Sequence, residues 1–309
     1  MAGLQPMKRA AIVGAGQMGM GIAYVTALHA RVPLTLHDPS PRVLAASLKK
    51  LQTLFTRDVE KKRISSEDGE AAMSRIKGVE GSLVGGGAGL EGDTDLVIEA
   101  IPEIPDLKLA LFRNLASILP APAILGSNTS SISLTKLAAA AGLASGKGPA
   151  DAESLESASR VVGIHFFNPV PQMKLVEIIP ALQTSDATLE RARAFGLACK
   201  KEIAVSKDSP GFIANAILMP MINEAILTLE KGIASPEDID KTFRLGMGHP
   251  MGPLALADLI GLDTCLAIQR VLHTESGDTK YRPATLLVRM VDAGWVGRKG
   301  GKGFYEYPA

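Results

Sequence analysis

Lys8-Arg9-Ala10-Ala11-Ile12-Val13-Gly14-Ala15-Gly16-Gln17-Met18-Gly19 is a compact apolar run that passes straight into a glycine turn. Lys8 to Val13 has the length and composition of a buried strand, and Met20 to Ala30 continues as a helix. The turn between them reads G-x-G-x-x-G at Gly14, Gly16 and Gly19, with Gln17 and Met18 inside it. Such glycines permit a tight turn and close approach of the backbone to a pyrophosphate, whose charge meets the unpaired N–H groups of the helix N-terminus. A second strand, Pro33 to His37, ends at Asp38, nineteen residues past Gly19. A carboxylate there can accept from a ribose 2′-hydroxyl and would repel a 2′-phosphate, which favours NAD over NADP. His37 and Arg42 stand close to it in sequence, and the glycines alone leave FAD open.

Working outward, Thr94 to Glu103 reads as another buried strand ending in acids, and Ala123 to Gly126 as one more before Ser127-Asn128-Thr129-Ser130-Ser131. Strands alternating with helices predict a Rossmann-type, doubly wound parallel sheet. Ligands of such sheets bind beyond the carboxyl ends of the strands, where Glu103, Asn128 and Ser130 fall. The serine cluster also suits turn formation, with Ser133 as N-cap for a helix from Leu134 to Ala141.

Val161 to Phe167 and Lys174 to Ile179 read as short strands joined by Asn168-Pro169-Val170-Pro171, so an antiparallel hairpin is expected with His165 opposite Glu177. A carboxylate between Val176 and Ile178 is costly to desolvate unless an imidazole donates to it, and that bond holds the ring in one tautomer. The pair taken alone is better explained as a satisfied core histidine with its structural partner. A cofactor site elsewhere in the chain shifts the reading towards a histidine base with an orienting carboxylate.

The 309 residues suffice for two domains, and a net charge of +1 offers no general attraction for nucleic acid. Cys199 and Cys265 are too few for a disulfide framework or metal cluster, so no metal is expected. Without an apolar leader or a membrane span in the sequence, a cytoplasmic protein is expected, with the mitochondrial matrix or peroxisome as alternatives. Leu44 to Ile64 is predicted helical, with Lys49, Lys50, Arg57, Lys61, Lys62 and Arg63 beside an apolar stripe; the default reading is a solvated basic face. Gly81 to Gly92 and Ala138 to Ser159 read by composition as mobile surface insertions. Residues 1–206 are assigned to the dinucleotide domain and 207–309 to a smaller all-helical one, with helices at Phe212 to Lys231 (kinked at Pro220), Pro236 to Leu245, about Leu254 to Leu272, and Pro283 to Ala293. Asn215 sits among apolar residues early in the first of these. Gly297 to Tyr305 reads either as a flexible tail or as a phosphate-contacting loop.

The glycine fingerprint, Ser127 to Ser131, the His165–Glu177 hairpin, Asp208-Ser209-Pro210-Gly211-Phe212-Ile213-Ala214-Asn215 and Gly252-Pro253, in that order, resemble the 3-hydroxyacyl-CoA dehydrogenases from end to end. The short monofunctional 3-hydroxyacyl-CoA or 3-hydroxybutyryl-CoA enzymes are the nearest likeness. The resemblance implies that His165 takes the 3-hydroxyl proton while hydride leaves for NAD, that Glu177 stabilises the imidazolium, and that Ser130 and Asn215 hold the substrate. It further implies dinucleotide contacts from Asp38, Glu103, Lys108, Asn168 and Lys299, and places Lys62 near the family's CoA-contacting lysine. A homodimer formed through the helical domain, with domain closure over acyl-CoA, is implied as well. Two alternatives are carried: a dehydrogenase of free hydroxy acids such as gulonate, and a non-catalytic dinucleotide-binding or structural protein.

Overall fold

The computed structural model describes residues 7–83, 90 and 92–308. The chain divides into two compact units, Met1–Asp208 and Ser209–Ala309. In the first, strands β1 (Ala10–Val13), β2 (Leu34–Asp38), β3 (Ile76–Glu80), β4 (Leu96–Glu99), β5 (Ile124–Ser127), β6 (Val161–Phe166), β7 (Leu175–Pro180) and β8 (Glu202–Val205) form one sheet. The spatial order is β3-β2-β1-β4-β5-β6-β7-β8. Every neighbouring pair is parallel except β6 and β7. After β3 the chain returns to the far side of β1, and such a reversal opens a crevice at the carboxyl ends of β1 and β4.

Between the strands lie α1 (Gln17–Val25), α2 (Pro41–Glu60), α3 (Ser66–Ser74), α4 (Pro105–Ile118), α5 (Leu134–Gly142), α6 (Ala152–Ser159) and α7 (Asp186–Ala198). β1 is buried along its whole length, as expected of a strand covered on both faces. Ile12, Ile22, Leu34, Leu36, Leu51, Phe55, Ile98, Ile164 and Ile178 belong to one continuous core. The helix after the glycine loop keeps its regular turn to Val25 and then widens through Thr26–Ala30. α2 begins three residues before the expected Leu44 because Ser40 caps it, accepting from the Val43 amide, with Pro41 in the first turn.

One expectation is overturned. The stretch from Ala138 to Ser159 is no mobile insertion: it carries the end of α5 and the whole of α6, capped by Asp151, which accepts from the Glu153 amide. Its small residues serve packing, since a Cβ at Gly142 would stand 3.0 Å from the Ser154 carbonyl oxygen. Helices approach only as closely as their contact side chains allow, so Ala, Ser and Gly here signal a close crossing. Of the expected glycine loop 81–92, residues 84–89 and 91 lie outside the described residues.

The second unit consists of α8 (Ala214–Glu230), α9 (Pro236–Lys241), α10 (Pro253–Ile260), α11 (Leu262–Ser276) and α12 (Thr285–Asp292), with no named strand among its described residues. Met219, Ile222, Ile226, Leu254, Leu262, Cys265 and Leu287 form its core. Pro220 lies inside α8. The helical stretch expected about Leu254 to Leu272 consists of two helices that meet at Gly261, whose φ of +103° belongs to a region other residues rarely adopt. Residues 297–307 are tied down, because the buried Asp258 carboxylate accepts from the amides of Phe304 and Tyr305 at 3.0 Å each and from the Tyr307 hydroxyl at 2.9 Å. Of the two readings of that segment, the flexible tail is therefore lost.

Candidate active site

The glycine loop leaves β1 in the shape the sequence predicts. Gly14 has φ +101°, and its amide donates to the His37 carbonyl at 2.8 Å. A Cβ at Gly19 would collide with the Gly14 carbonyl oxygen, whereas one at Gly16 would meet nothing within 4 Å. Gly16 thus faces open space at the start of α1, a helix with no side-chain cap and no acid in its first turn. Uncapped amides beside open space fit an anionic pyrophosphate. Asp38 braces the loop, its carboxylate accepting from the Ala15 amide and the Ser40 amide at 2.9 Å each. Gly19→Ala is expected to destabilise the first unit by about 2 kcal/mol, since the added methyl meets backbone rather than a side chain that can swing away. Denaturant unfolding checks this, and unchanged stability would mean that the loop relaxes freely.

At the carboxyl end of β4, Lys108 reaches back from α4 and is 1% exposed. Its ammonium lies 2.7 Å from one oxygen of Glu99, 2.8 Å from the other, and 3.0 Å from Glu103. Glu99 is fully buried and also accepts from the Ser127 hydroxyl and the Ile101 amide. Burial raises the Glu99 carboxyl above the usual range despite the opposing pull of Lys108 and Ser127. Burial works in the same direction on Glu103, but Lys108 and the hydrogen bonds from Thr129 and Ser130 prevail and hold it below the usual range. Glu103 receives the Thr129 hydroxyl at 2.5 Å, the Ser130 amide at 2.9 Å, and the Ser131 amide at 3.1 Å. The residues beyond β5, Ser130 included, are thereby fastened to those beyond β4.

The hairpin pairs His165 with Glu177 directly across β6 and β7. His165 Nδ1 lies 2.8 Å from Glu177 Oε2, and both side chains are buried. A carboxylate facing Nδ1 can only accept, and the hydrogen bond then places the ring hydrogen on Nδ1 and leaves Nε2 as the acceptor nitrogen. The Phe167 ring stands 4.8 Å from the imidazole, centroid to centroid, and limits where the ring can turn. Asn128 fixes the strand just past His165 by accepting from the Phe166 amide at 2.8 Å. Beyond the strand, Asn168 accepts from Gln17 of the glycine loop at 2.9 Å. The hairpin and the expected cofactor loop are therefore in direct contact.

The basic helix is only partly free. Asp58 is buried, takes the Tyr24 hydroxyl at 2.6 Å, and pairs with Arg63 at 3.1 Å and Arg57 at 3.6 Å. Lys62 is exposed just past α2, in a left-handed turn at φ +55°. In the second unit, Asn215 lies buried in the first turn of α8. Lys299 there pairs with Asp263 at 2.7 Å.

A profile of the 3-hydroxyacyl-CoA dehydrogenase NAD binding domain matches residues 9–209, and one of the C-terminal domain of the same enzymes matches residues 211–307. The chain belongs to the 3-hydroxyacyl-CoA dehydrogenase family. Among similar proteins, a 3-hydroxybutyryl-CoA dehydrogenase of Bradyrhizobium diazoefficiens is 46% identical over 97% of this chain and 96% of its own. A probable 3-hydroxybutyryl-CoA dehydrogenase of Bacillus subtilis is 44% identical over 97% and 98%. The crystal structure of an (S)-3-hydroxybutyryl-CoA dehydrogenase from Ralstonia eutropha superposes with a TM-score of 0.87 at 43% identity, covering 98% of this chain and all of that one.

For this 3-hydroxyacyl-CoA dehydrogenase, sequence reasoning singled out Glu103 and Lys108 but passed over Glu99, which shares the Lys108 ammonium. The signal was present, since an acid at the end of an otherwise apolar strand needs a partner once buried. Among the described residues no group of His, Cys, Asp and Glu could hold a metal ion, and no helix is long and apolar enough to cross a membrane.

Proposed function

We propose that this dehydrogenase oxidises (S)-3-hydroxyacyl-CoA reversibly to 3-oxoacyl-CoA, with a four-carbon acyl chain as its favoured substrate. The buried His165–Glu177 pair carries the reading, because it presents an oriented base on the sheet that also bears the glycine loop. In this reading His165 Nε2 takes the 3-hydroxyl proton and Glu177 holds and stabilises the imidazolium. NAD, when bound, supplies the acceptor for the hydride. Ser130 and Asn215 hydrogen-bond the substrate about the reacting carbon, and Lys62 meets the CoA moiety. Gly14, Gly16, Gln17, Met18 and Gly19 approach the pyrophosphate, Asp38 takes the ribose, and Glu103, Lys108, Asn168 and Lys299 border the rest of the dinucleotide. Names of full-length relatives support the four-carbon chain. A homodimer formed through the helical unit, working in the cytoplasm, belongs to the same proposal.

Acetoacetyl-CoA with NADH is the direct test, read as loss of the reduced-nicotinamide absorbance. Turnover is expected to fall as the acyl chain lengthens, and free hydroxy acids such as gulonate are expected to react far more slowly with NAD. Turnover of free hydroxy acids without turnover of short or medium acyl-CoA esters would overturn the proposal.

A further inference from the structure

Lys201 is a buried lysine that the reaction does not use. It is 6% exposed, and its ammonium donates to the Val170 carbonyl at 2.6 Å and the Met173 carbonyl at 2.7 Å. Among the described residues no carboxylate pairs with it. Burial pulls its pKa below the ordinary lysine value, with the Cys199 sulfur opposing. A charge kept out of water on two neutral acceptors is a costly arrangement, tolerated where those acceptors have no other donor. Here they belong to the turn of the His165–Glu177 hairpin. Inside that turn the Pro169 carbonyl takes the amides of Gln172 and Met173, which leaves the Val170 and Met173 carbonyls for Lys201.

The local chain is built to deliver that side chain. α7 ends at Ala198 with Cys199 as its C-cap, Lys200 turns left-handed at φ +57°, and β8 starts at Glu202, whose amide donates to the Lys174 carbonyl at 2.8 Å. The lysine thus enters the turn where β8 begins to pair with β7, at Leu175 opposite Glu202. What the turn carries gives the contact its consequence. Val170 is buried against α1, where a Cβ on Gly21 would stand 2.7 Å from the Val170 Cβ. Asn168 accepts from Gln17 of the glycine loop. The Lys201 ammonium, the turn, and the glycine loop form one mechanical chain.

We propose that Lys201 is a positioning residue: its ammonium fixes the 168–173 turn so that Asn168 is held at the dinucleotide loop. This rests on the assignment of Asn168 to the cofactor side. Lys201→Met keeps the aliphatic stem and removes both donors, so the fold is retained while the turn is released. NADH affinity, titrated by nicotinamide fluorescence, is expected to weaken by about tenfold, the size of one lost charge-assisted contact. The KM for acetoacetyl-CoA is expected to stay within about twofold, as for a residue that acts on one substrate only. In Lys201→Ala, added propylammonium is expected to restore NADH affinity in a saturable way, and propanol of similar size is not.

Unchanged NADH affinity in Lys201→Met would overturn the proposal. So would a loss that follows the unfolded fraction measured by circular dichroism, or equal rescue by propanol. Asn168→Ala separates this from the reading beneath it. If that variant binds NADH normally, the Asn168 assignment fails; if it binds weakly while Lys201→Met binds normally, only the role of Lys201 fails.

Discussion

His165→Gln is expected to lower kcat for acetoacetyl-CoA reduction by roughly 10³-fold while leaving NADH affinity within about twofold. Glutamine keeps a polar side chain of similar length beside Glu177, and the backbone ladder of β6 and β7 still pairs position 165 with Glu177, so the hairpin loses little of its register. What it cannot do is take or give a proton at the reacting oxygen. Glu177→Gln is expected to fall almost as far by a different route. An amide facing Nδ1 is free to donate, which moves the ring hydrogen to Nε2 and leaves the wrong tautomer towards substrate. Steady-state rates beside fluorescence titration of NADH separate the chemical loss from a binding loss. Full activity in His165→Gln would remove the proposed base, and a matching collapse of NADH binding would make the pair structural.

Much of the geometry around the candidate site could be read in the sequence because its signals are local. A strand that runs into G-x-G-x-x-G and is followed by an acid fixes β1, α1 and Asp38 within a short window, and two short apolar runs about Asn168-Pro169-Val170-Pro171 fix the register of His165 against Glu177. The edge strand β3 escaped because Ile-Lys-Gly-Val-Glu has no apolar run and needs none with β2 as its one neighbour. Its Gly78 is set by space, as a Cβ there would stand 2.8 Å from Leu48. α3 announces itself by Ser65 accepting from the Asp68 amide, with acids in the first turn, but it is short and weakly amphipathic, so hydrophobic periodicity passes over it. α6 was misread because an alanine- and serine-rich stretch looks the same whether it is loose or closely packed. The distinction lies in a neighbour, α5, whose approach no window on the sequence contains. The partners of Lys108 and Lys201 were hidden for the same reason. A lysine in sequence is by default a solvated charge, and only the fold puts carboxylates or carbonyls around it.

Lys108→Met is expected to cost about 3–5 kcal/mol of stability, as when one partner of a buried ion pair is removed. The cause is specific to Glu99, which would keep the Ser127 hydroxyl and the Ile101 amide but lose the only cation among its contacts in the described residues. Its carboxyl is already raised by burial, and removing the ammonium raises it further. A carboxyl with a raised folded-state pKa binds its proton more tightly when folded. Stability tied to it is therefore fully present below the ordinary carboxylate range and is lost as pH rises through that range towards the raised value. Glu103 changes in the same direction relative to the wild type, because its depression, which now adds stability above the ordinary range, shrinks without Lys108. The gap between wild type and variant should then be widest near pH 8 and narrow towards about pH 5, as read from denaturant unfolding at both. Adding Glu99→Gln should recover part of the loss near pH 8, since the burden of the single variant is a charge left without a counter-ion. A gap that is the same at both pH values, or that widens towards acid, would show that Lys108 acts through packing of its stem and not through the carboxylates it joins.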